Sequence, residues 1–175
     1  MKILKGKEKS SESKIPRFFI TQTTISVLCD KKHIEACCSI AKELREYFTE
    51  NAIETMRKDM KKHLLYVAAD LAEVVGFAII QHKNKYLAEI LWMAVKKGKW
   101  NQGIGSALIE HISNDLKSQG VRLLQIKTLS EDAKYSPYES TRQFYEKMNF
   151  IHIETIDPYP GWAPDNPCAI YVKIL

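Results

Sequence analysis

Ala88-Glu89-Ile90-Leu91-Trp92-Met93-Ala94-Val95 is an apolar run broken by one carboxylate, and five residues further on Asn101-Gln102-Gly103-Ile104-Gly105-Ser106 opens a second patterned stretch. The first run reads as a core strand. The second leads into a helix from about Ser106 to Gln119, because Leu108, Ile112 and Leu116 recur at helical spacing and Gly120 suits the C′ position. Gly103 and Gly105 at this junction let the backbone turn tightly and aim several N–H groups at one anion, with the helix dipole adding favourable potential. A phosphate is the natural ligand, and a bare tight turn is the alternative. The loop lacks the Gly-Lys-Ser/Thr of a nucleotide-hydrolysing loop and the third glycine of the dinucleotide fingerprint.

Working outward, Arg122–Thr128 reads as a strand, and strand, crossover helix and strand place the two strands parallel in one sheet. Upstream, Ile25–Cys29 is a short strand and Asp30 an N-cap for a helix running to about Phe48. Thr49 caps a second helix carrying Ile53, Met56 and Met60 on one face. Leu65–Ala69 and Val74–Gln81 form a hairpin around the turn Asp70–Glu73, and Ala88–Lys96 continues the meander. Downstream, Pro137 precedes a helix that Ser140 and Gln143 open as a capping box and Asn149 closes in the left-handed conformation. Strands Phe150–Ile156 and Cys168–Ile174 finish the chain. The fold class is α/β of the α+β type: a mixed, mostly antiparallel sheet with helices on both faces and a central parallel strand pair.

The length of 175 residues and a 45% hydrophobic content suit one domain with a sizeable core. Of the formal charge of +5, residues 1–17 hold +4, with six Lys/Arg against Glu8 and Glu12. The expected division is a basic, disordered tail over 1–17 and a domain over 18–175. A near-neutral domain removes the basic stripe that nucleic-acid binding requires. No run approaches membrane-spanning length, so the expected setting is cytoplasmic, without a membrane partner. Cys29, Cys37, Cys38 and Cys168 show no metal-ligand spacing and read as buried small hydrophobes, so no metal is expected.

The order strand, Gln102-Gly103-Ile104-Gly105-Ser106-Ala107-Leu108 helix, strand, then Phe144-Tyr145-Glu146-Lys147-Met148-Asn149-Phe150 resembles the GNAT superfamily of N-acetyltransferases over most of residues 20–175. The resemblance implies a splay between the two parallel strands and acetyl-CoA as co-substrate. It implies that the loop amides of Asn101, Gln102, Gly103, Ile104, Gly105 and Ser106 hold the coenzyme pyrophosphate. It further implies that the backbone of Met93 and Val95 meets the pantetheine arm, with the Met93 amide polarising the thioester carbonyl. Trp100 stands where the family carries Arg or Gln, Tyr138 where many relatives have a coenzyme-contacting Asn, and Asn149 at the usual Gly. Lys96, Lys97 and Lys99, just before the loop, are either an electrostatic substitute for that Arg or a solvated turn.

Transfer to an amine requires removal of a proton, because a free alkyl amine has a pKa of ~10.4. Glu89 is the candidate general base: a carboxylate in a core strand is costly to bury, and partial desolvation tunes it for the task. Strand alternation places Glu89, Leu91, Met93 and Val95 on one face. The Ala-Glu-Ile start also resembles the histone-acetyltransferase branch, where it supplies the catalytic glutamate. The alternative has Glu89 at the strand's exposed end, paired with Lys83 or Lys85. Tyr145 matches the family tyrosine that protonates the leaving thiolate as general acid, and the alternative is a core ring beside Phe144, Met148 and Phe150.

Asp157–Pro167 holds four of the six prolines together with Tyr159 and Trp162, a stiff loop over the acceptor site or a homodimer contact. Glu131, Asp132, Glu139, Asp157 and Asp165 are candidates to hold a cationic acceptor, or ordinary helix-start and solvated carboxylates. The resulting expectation is an N-acetyltransferase acting directly from acetyl-CoA on a primary amine of unknown identity. The rivals are a non-catalytic acyl-CoA sensor and a coenzyme-independent interaction domain.

Overall fold

The computed structural model describes residues 23–175, so the basic tail expected over 1–17 lies outside the described residues. Seven strands form one sheet in the order β1-β2-β3-β4-β5-β7-β6, with β1 (Thr23–Val27), β2 (Leu64–Asp70), β3 (Glu73–His82), β4 (Leu87–Val95), β5 (Leu123–Leu129), β6 (Ile151–Ile156) and β7 (Cys168–Ile174). All neighbours pair antiparallel except β4 and β5.

Helices α1 (Lys31–Glu43) and α2 (Glu50–Met60) cover one face, and α3 (Ile104–Ser118) and α4 (Pro137–Lys147) the other. Each face has its own core. Cys37, Cys38, Met56 and Met60 meet Val67, Phe77 and Ile79 on the first, while Leu108, Ile112 and Leu116 meet Ala78, Ile80 and Ile90 on the second. Burying these side chains on both sides of one sheet supplies the main driving force, at roughly 1.5–3 kcal/mol for each large aliphatic residue.

The caps follow the sequence. Asp30 accepts from His33 N–H at 2.9 Å, and Thr49 accepts from Ala52 N–H at 3.2 Å. Asn149 closes α4 with φ 63°, and Gly120 follows α3 with φ 83°. Four expectations change. Helix α1 ends at Glu43 rather than near Phe48. Helix α4 begins at Pro137, whose missing N–H costs nothing in the first turn, so Ser140 lies inside the helix and donates to the Pro137 carbonyl instead of capping. Cys29 is exposed, whereas the other three cysteines are buried. Finally, β4 carries a bulge: Ile80 pairs with Ile90 but Ile79 with Trp92, leaving Leu91 over.

The bulge overturns the expected one-face alignment. Met93 and Val95 pack into the α3/α4 core, and Leu91, Trp92 and Ala94 into the α1/α2 core. Glu89, between Ala88 and Ile90 of the α3/α4 core, points to the opposite face from Met93. One strand thus serves both sides of the sheet. Among the described residues no helix is long and apolar enough to cross a membrane, and no cluster of His, Cys, Asp and Glu is arranged to hold a metal.

Candidate active site

Parallel pairing of β4 with β5 runs from Leu87↔Leu123 to Ile90↔Ile126 and then stops, so the strands diverge beyond Ile90. The backbone on the β4 side of this opening is polarised by its pairing with β3. Lys96 N–H donates to the Val75 carbonyl at 2.9 Å, and alternation along an antiparallel ladder sends the N–H and C=O groups of Ala94 and Trp92 toward β3 as well. Those of Met93 and Val95 therefore face the opening, where β5 no longer offers partners. The Val95 carbonyl accepts from the indole Nε1 of Trp100 at 2.7 Å.

The glycine loop closes one end of this opening. Gly103 is the N-cap of α3 with φ 81°, a left-handed conformation that other residues adopt only under strain, and Asn101 has φ 59°. The first intrahelical bond runs from Ala107 N–H to the Gly103 carbonyl, so the N–H groups of Gly103, Ile104, Gly105 and Ser106 find no acceptor among the described residues. No side chain caps this terminus and its first turn holds no acid. A Cβ on Gly103 would meet nothing within 4 Å, so the turn is open on that side. Unsatisfied amides, a helix dipole and an open turn fit a pyrophosphate. Gly105 serves a different need: a Cβ there would lie 3.1 Å from Phe144 Cζ and 3.7 Å from Met93 Cε, so its lack of a side chain lets α3, α4 and β4 approach. Gln102 turns its amide back to the Gly98 carbonyl at 3.2 Å.

Tyr145 lies on α4, its ring T-shaped against Phe144 and Phe150 at 5.3 and 5.4 Å. Burial first, and the charge of Tyr138 second, hold its phenol well above the usual tyrosine range, so the group is a neutral donor. Its hydroxyl bonds to no side chain or backbone group among the described residues, although the residue is only 5% exposed. Thr128, 4% exposed on β5, has a buried hydroxyl with no partner among the described residues.

On the other face Glu89 is buried, not at an exposed strand end. Its Oε1 accepts from Lys127 Nζ at 2.7 Å, and Lys83 Nζ stands 3.4 Å from Oε2, which is buried and has no hydrogen-bond partner. The expected Lys83 contact is present, while Lys85 lies over the Tyr86 ring at 4.7 Å. Lys127 also sits 5.5 Å from the centroid of Tyr159. Burial alone would lower Lys127, but its hydrogen bond to Glu89, with Tyr159 nearby adding to it, outweighs burial and the net direction is upward.

Tyr159 brings the Pro-rich loop beside Lys127, and Tyr159 and Trp162 are partly buried, edge to face at 5.3 Å. The acidic candidates are dispersed. Glu131 and Asp132 form a single turn capped by Ser130, Glu139 meets Gln143 at 3.4 Å, and Asp157 and Asp165 are exposed on the loop.

Lys127 and Thr128 join the site without having been expected there from their place in the sequence. The signal for Lys127 was present, since a cation in the apolar run Leu123–Leu129 mirrors the carboxylate in β4. Also unforeseen is an aromatic brace in which Tyr47, after α1, donates to the Pro137 carbonyl at 2.8 Å and packs on Tyr138 and Trp100 at 5.2 and 6.4 Å. The position where relatives carry Asn thus ties α4 to the α1–α2 corner.

Among curated proteins no sequence matches this chain. Solved structures do. Ard1 from Thermoplasma volcanium superposes with a TM-score of 0.70 at 22% identity, over 87% of this chain and 97% of that one. The ribosomal-protein-S18-alanine N-acetyltransferase from Escherichia coli gives 0.70 at 21%, over 87% and 93%. A GNAT family acetyltransferase from Elizabethkingia anophelis with acetyl-CoA bound gives 0.68 at 18%, over 87% and 98%. At these identities the likeness establishes the fold. The acetyltransferase (GNAT) domain model matches residues 61–152, more than half of the chain and the whole span from the end of α2 to the start of β6. With its diverging parallel strands and glycine loop, the chain belongs to the GNAT acetyltransferase family.

Proposed function

We propose that the protein is an N-acetyltransferase that moves an acetyl group directly from acetyl-CoA to a primary amine while both are bound. The observation that carries this reading is the opening between β4 and β5, bordered by the unpartnered amides of Gly103 to Ser106. When bound, acetyl-CoA supplies an activated acyl carbon on a thiol leaving group. Gly103, Ile104, Gly105 and Ser106 hold its pyrophosphate through N–H groups, with Asn101 and Gln102 shaping the turn. Met93 and Val95 offer backbone groups to the pantetheine arm.

The Met93 N–H acts on charge that develops on the carbonyl oxygen, a contribution whose removal costs ~2.7–4 kcal/mol in other oxyanion sites. Glu89 Oε2, buried and without a hydrogen-bond partner, takes a proton from the acceptor amine, while Lys127 fixes Oε1. Tyr145 supplies a proton to the departing sulfur from the α4 side. The adjacent free thiols of Cys37 and Cys38 suit a reducing, cytoplasmic setting.

A free-thiol release assay with acetyl-CoA across polyamines, amino acids, aminoglycosides, peptides and protein lysines tests this reading. Thiol release with at least one class is expected. A second reading, an acyl-CoA sensor without transfer, draws on the ion pair that engages Glu89. Saturable acetyl-CoA binding with no thiol release from any amine would select it.

A further inference from the structure

Lys127 Nζ lies 2.7 Å from Glu89 Oε1 and 5.5 Å from the Tyr159 ring centroid, with side-chain exposures of 20% for Lys127 and 5% for Glu89. A carboxylate and an aromatic face at such distances form a holding site for an amine. The amine already held there belongs to the chain itself. Lys127 is the first residue of β5 after Ile126, the last to pair with β4, so it stands at the mouth of the opening, level with Leu91. Met93 is two residues further along β4, ~7 Å away at strand rise, within the order of length of lysine's flexible four-carbon stem. Lys83, the other lysine at Glu89, follows β3 and lies at the closed end of the parallel pair.

We propose that Lys127 is a site of self-acetylation, its Nζ accepting the acetyl group of acetyl-CoA bound to the same chain, an inference that rests on the transfer reading above. In the step the Nζ–carbonyl bond forms and the C–S bond breaks. Of the three ammonium protons one stays on the amide nitrogen. One leaves through Glu89, whose Oε1 already accepts from Lys127 Nζ at 2.7 Å, and the third makes good the proton that Tyr145 gives to the departing thiolate. The product is neutral, so Lys127 no longer pairs with Glu89.

The full chain is incubated with acetyl-CoA and no added acceptor, and each lysine is followed by peptide mass spectrometry. Acetylation of Lys127 is expected to saturate with acetyl-CoA concentration and to be independent of protein concentration. At Lys58 and Lys97, with side chains 65% and 60% exposed, the slow background should instead rise in proportion to acetyl-CoA. Glu89→Gln should slow the Lys127 reaction at least ~10²-fold and leave the background unchanged.

Lys127 remaining unmodified while added amines release thiol would overturn the inference and leave the transfer reading intact. Loss of both reactions would bring down both. Proportional, non-saturating modification of Lys127 would mark it as background chemistry. A readout without acetyl-CoA is reductive methylation by formaldehyde and borane: Lys127 should be protected relative to Lys58 in the wild-type chain, and equal labelling would overturn the holding site.

Discussion

Trp100 donates its indole N–H to the carbonyl oxygen of Val95 at 2.7 Å, tying the approach to the glycine loop onto the last residue of β4. The bond takes up one of the two lone pairs of the Val95 carbonyl, which faces the opening together with the Val95 N–H. It also fixes the loop before anything binds. Trp100→Phe keeps a ring against Tyr47 and removes the donor, and a net hydrogen bond is worth ~0.5–1.5 kcal/mol. A stability loss of that size is expected in urea denaturation, together with several-fold weaker acetyl-CoA binding by calorimetry. Unchanged values for both would show that the bond contributes nothing to the loop.

Glu89→Gln removes the proposed proton acceptor while keeping its shape. Turnover should fall ~10²–10⁴-fold with acetyl-CoA affinity within a factor of two or so, because the carboxylate and the glycine loop do not touch. Removing one partner of a buried ion pair also costs ~3–5 kcal/mol, so stability should drop as well. Wild-type turnover in a folded Glu89→Gln protein would remove Glu89 from the mechanism.

Tyr145→Phe separates chemistry from packing. The hydroxyl bonds to nothing among the described residues while the ring packs on Phe144 and Phe150, so the thermal midpoint should hold and the rate should fall. A rate equal to wild type across pH would return Tyr145 to a purely structural role.

The two loop glycines should respond differently. At Gly103 any side chain meets backbone strain at φ 81°, ~1–2 kcal/mol, but open space, so Gly103→Ala should mainly weaken acetyl-CoA binding. At Gly105 a side chain runs into Phe144, so Gly105→Val should destabilise the fold itself. Thermal melts with and without acetyl-CoA separate the two, since a ligand of the native state raises the midpoint. A Gly103→Ala protein with a full ligand-induced shift would exclude the loop from binding.

Asp115 sets a dependence on acid. The hydrogen bond from Tyr66 is the main influence holding its carboxyl below the usual aspartate range. A lowered folded-state value means that the stabilisation is fully present above the unfolded value of ~3.9 and is lost as pH falls from there through the lowered folded value. Tyr66→Phe should therefore flatten the stability profile below pH ~4, measured by urea midpoints. A profile that keeps its wild-type slope would refute the coupling.

The fold was readable wherever a local signal had one physical meaning. Asp30 and Thr49 before apolar periodicity, Gly120 and Asn149 after it, and the glycine loop between strand and helix all acted as their chemistry suggests. What escaped depended on partners far along the chain or on backbone geometry without a residue signature. Leu71 and Ala72 make the β2–β3 turn at φ 47° and 69° with neither Gly nor Asn to announce it. Nothing in Ile90-Leu91-Trp92 betrays a bulge, so strict alternation misplaced Met93 and Val95. Glu89 stood out as a carboxylate in a core strand, but Lys127, which answers its charge, comes from another strand. The aromatic brace of Tyr47, Tyr138 and Trp100 joins three separate segments.

The extra residue at Leu91 has a kinetic corollary. It splices β4 from two halves that are out of phase, so the carboxylate looks to one side of the sheet and the Met93 side chain to the other. Two molecules using these halves would come in through separate doors, and neither would have to leave before the other arrives. Initial velocities at varied concentrations of both substrates should then give intersecting rather than parallel double-reciprocal lines.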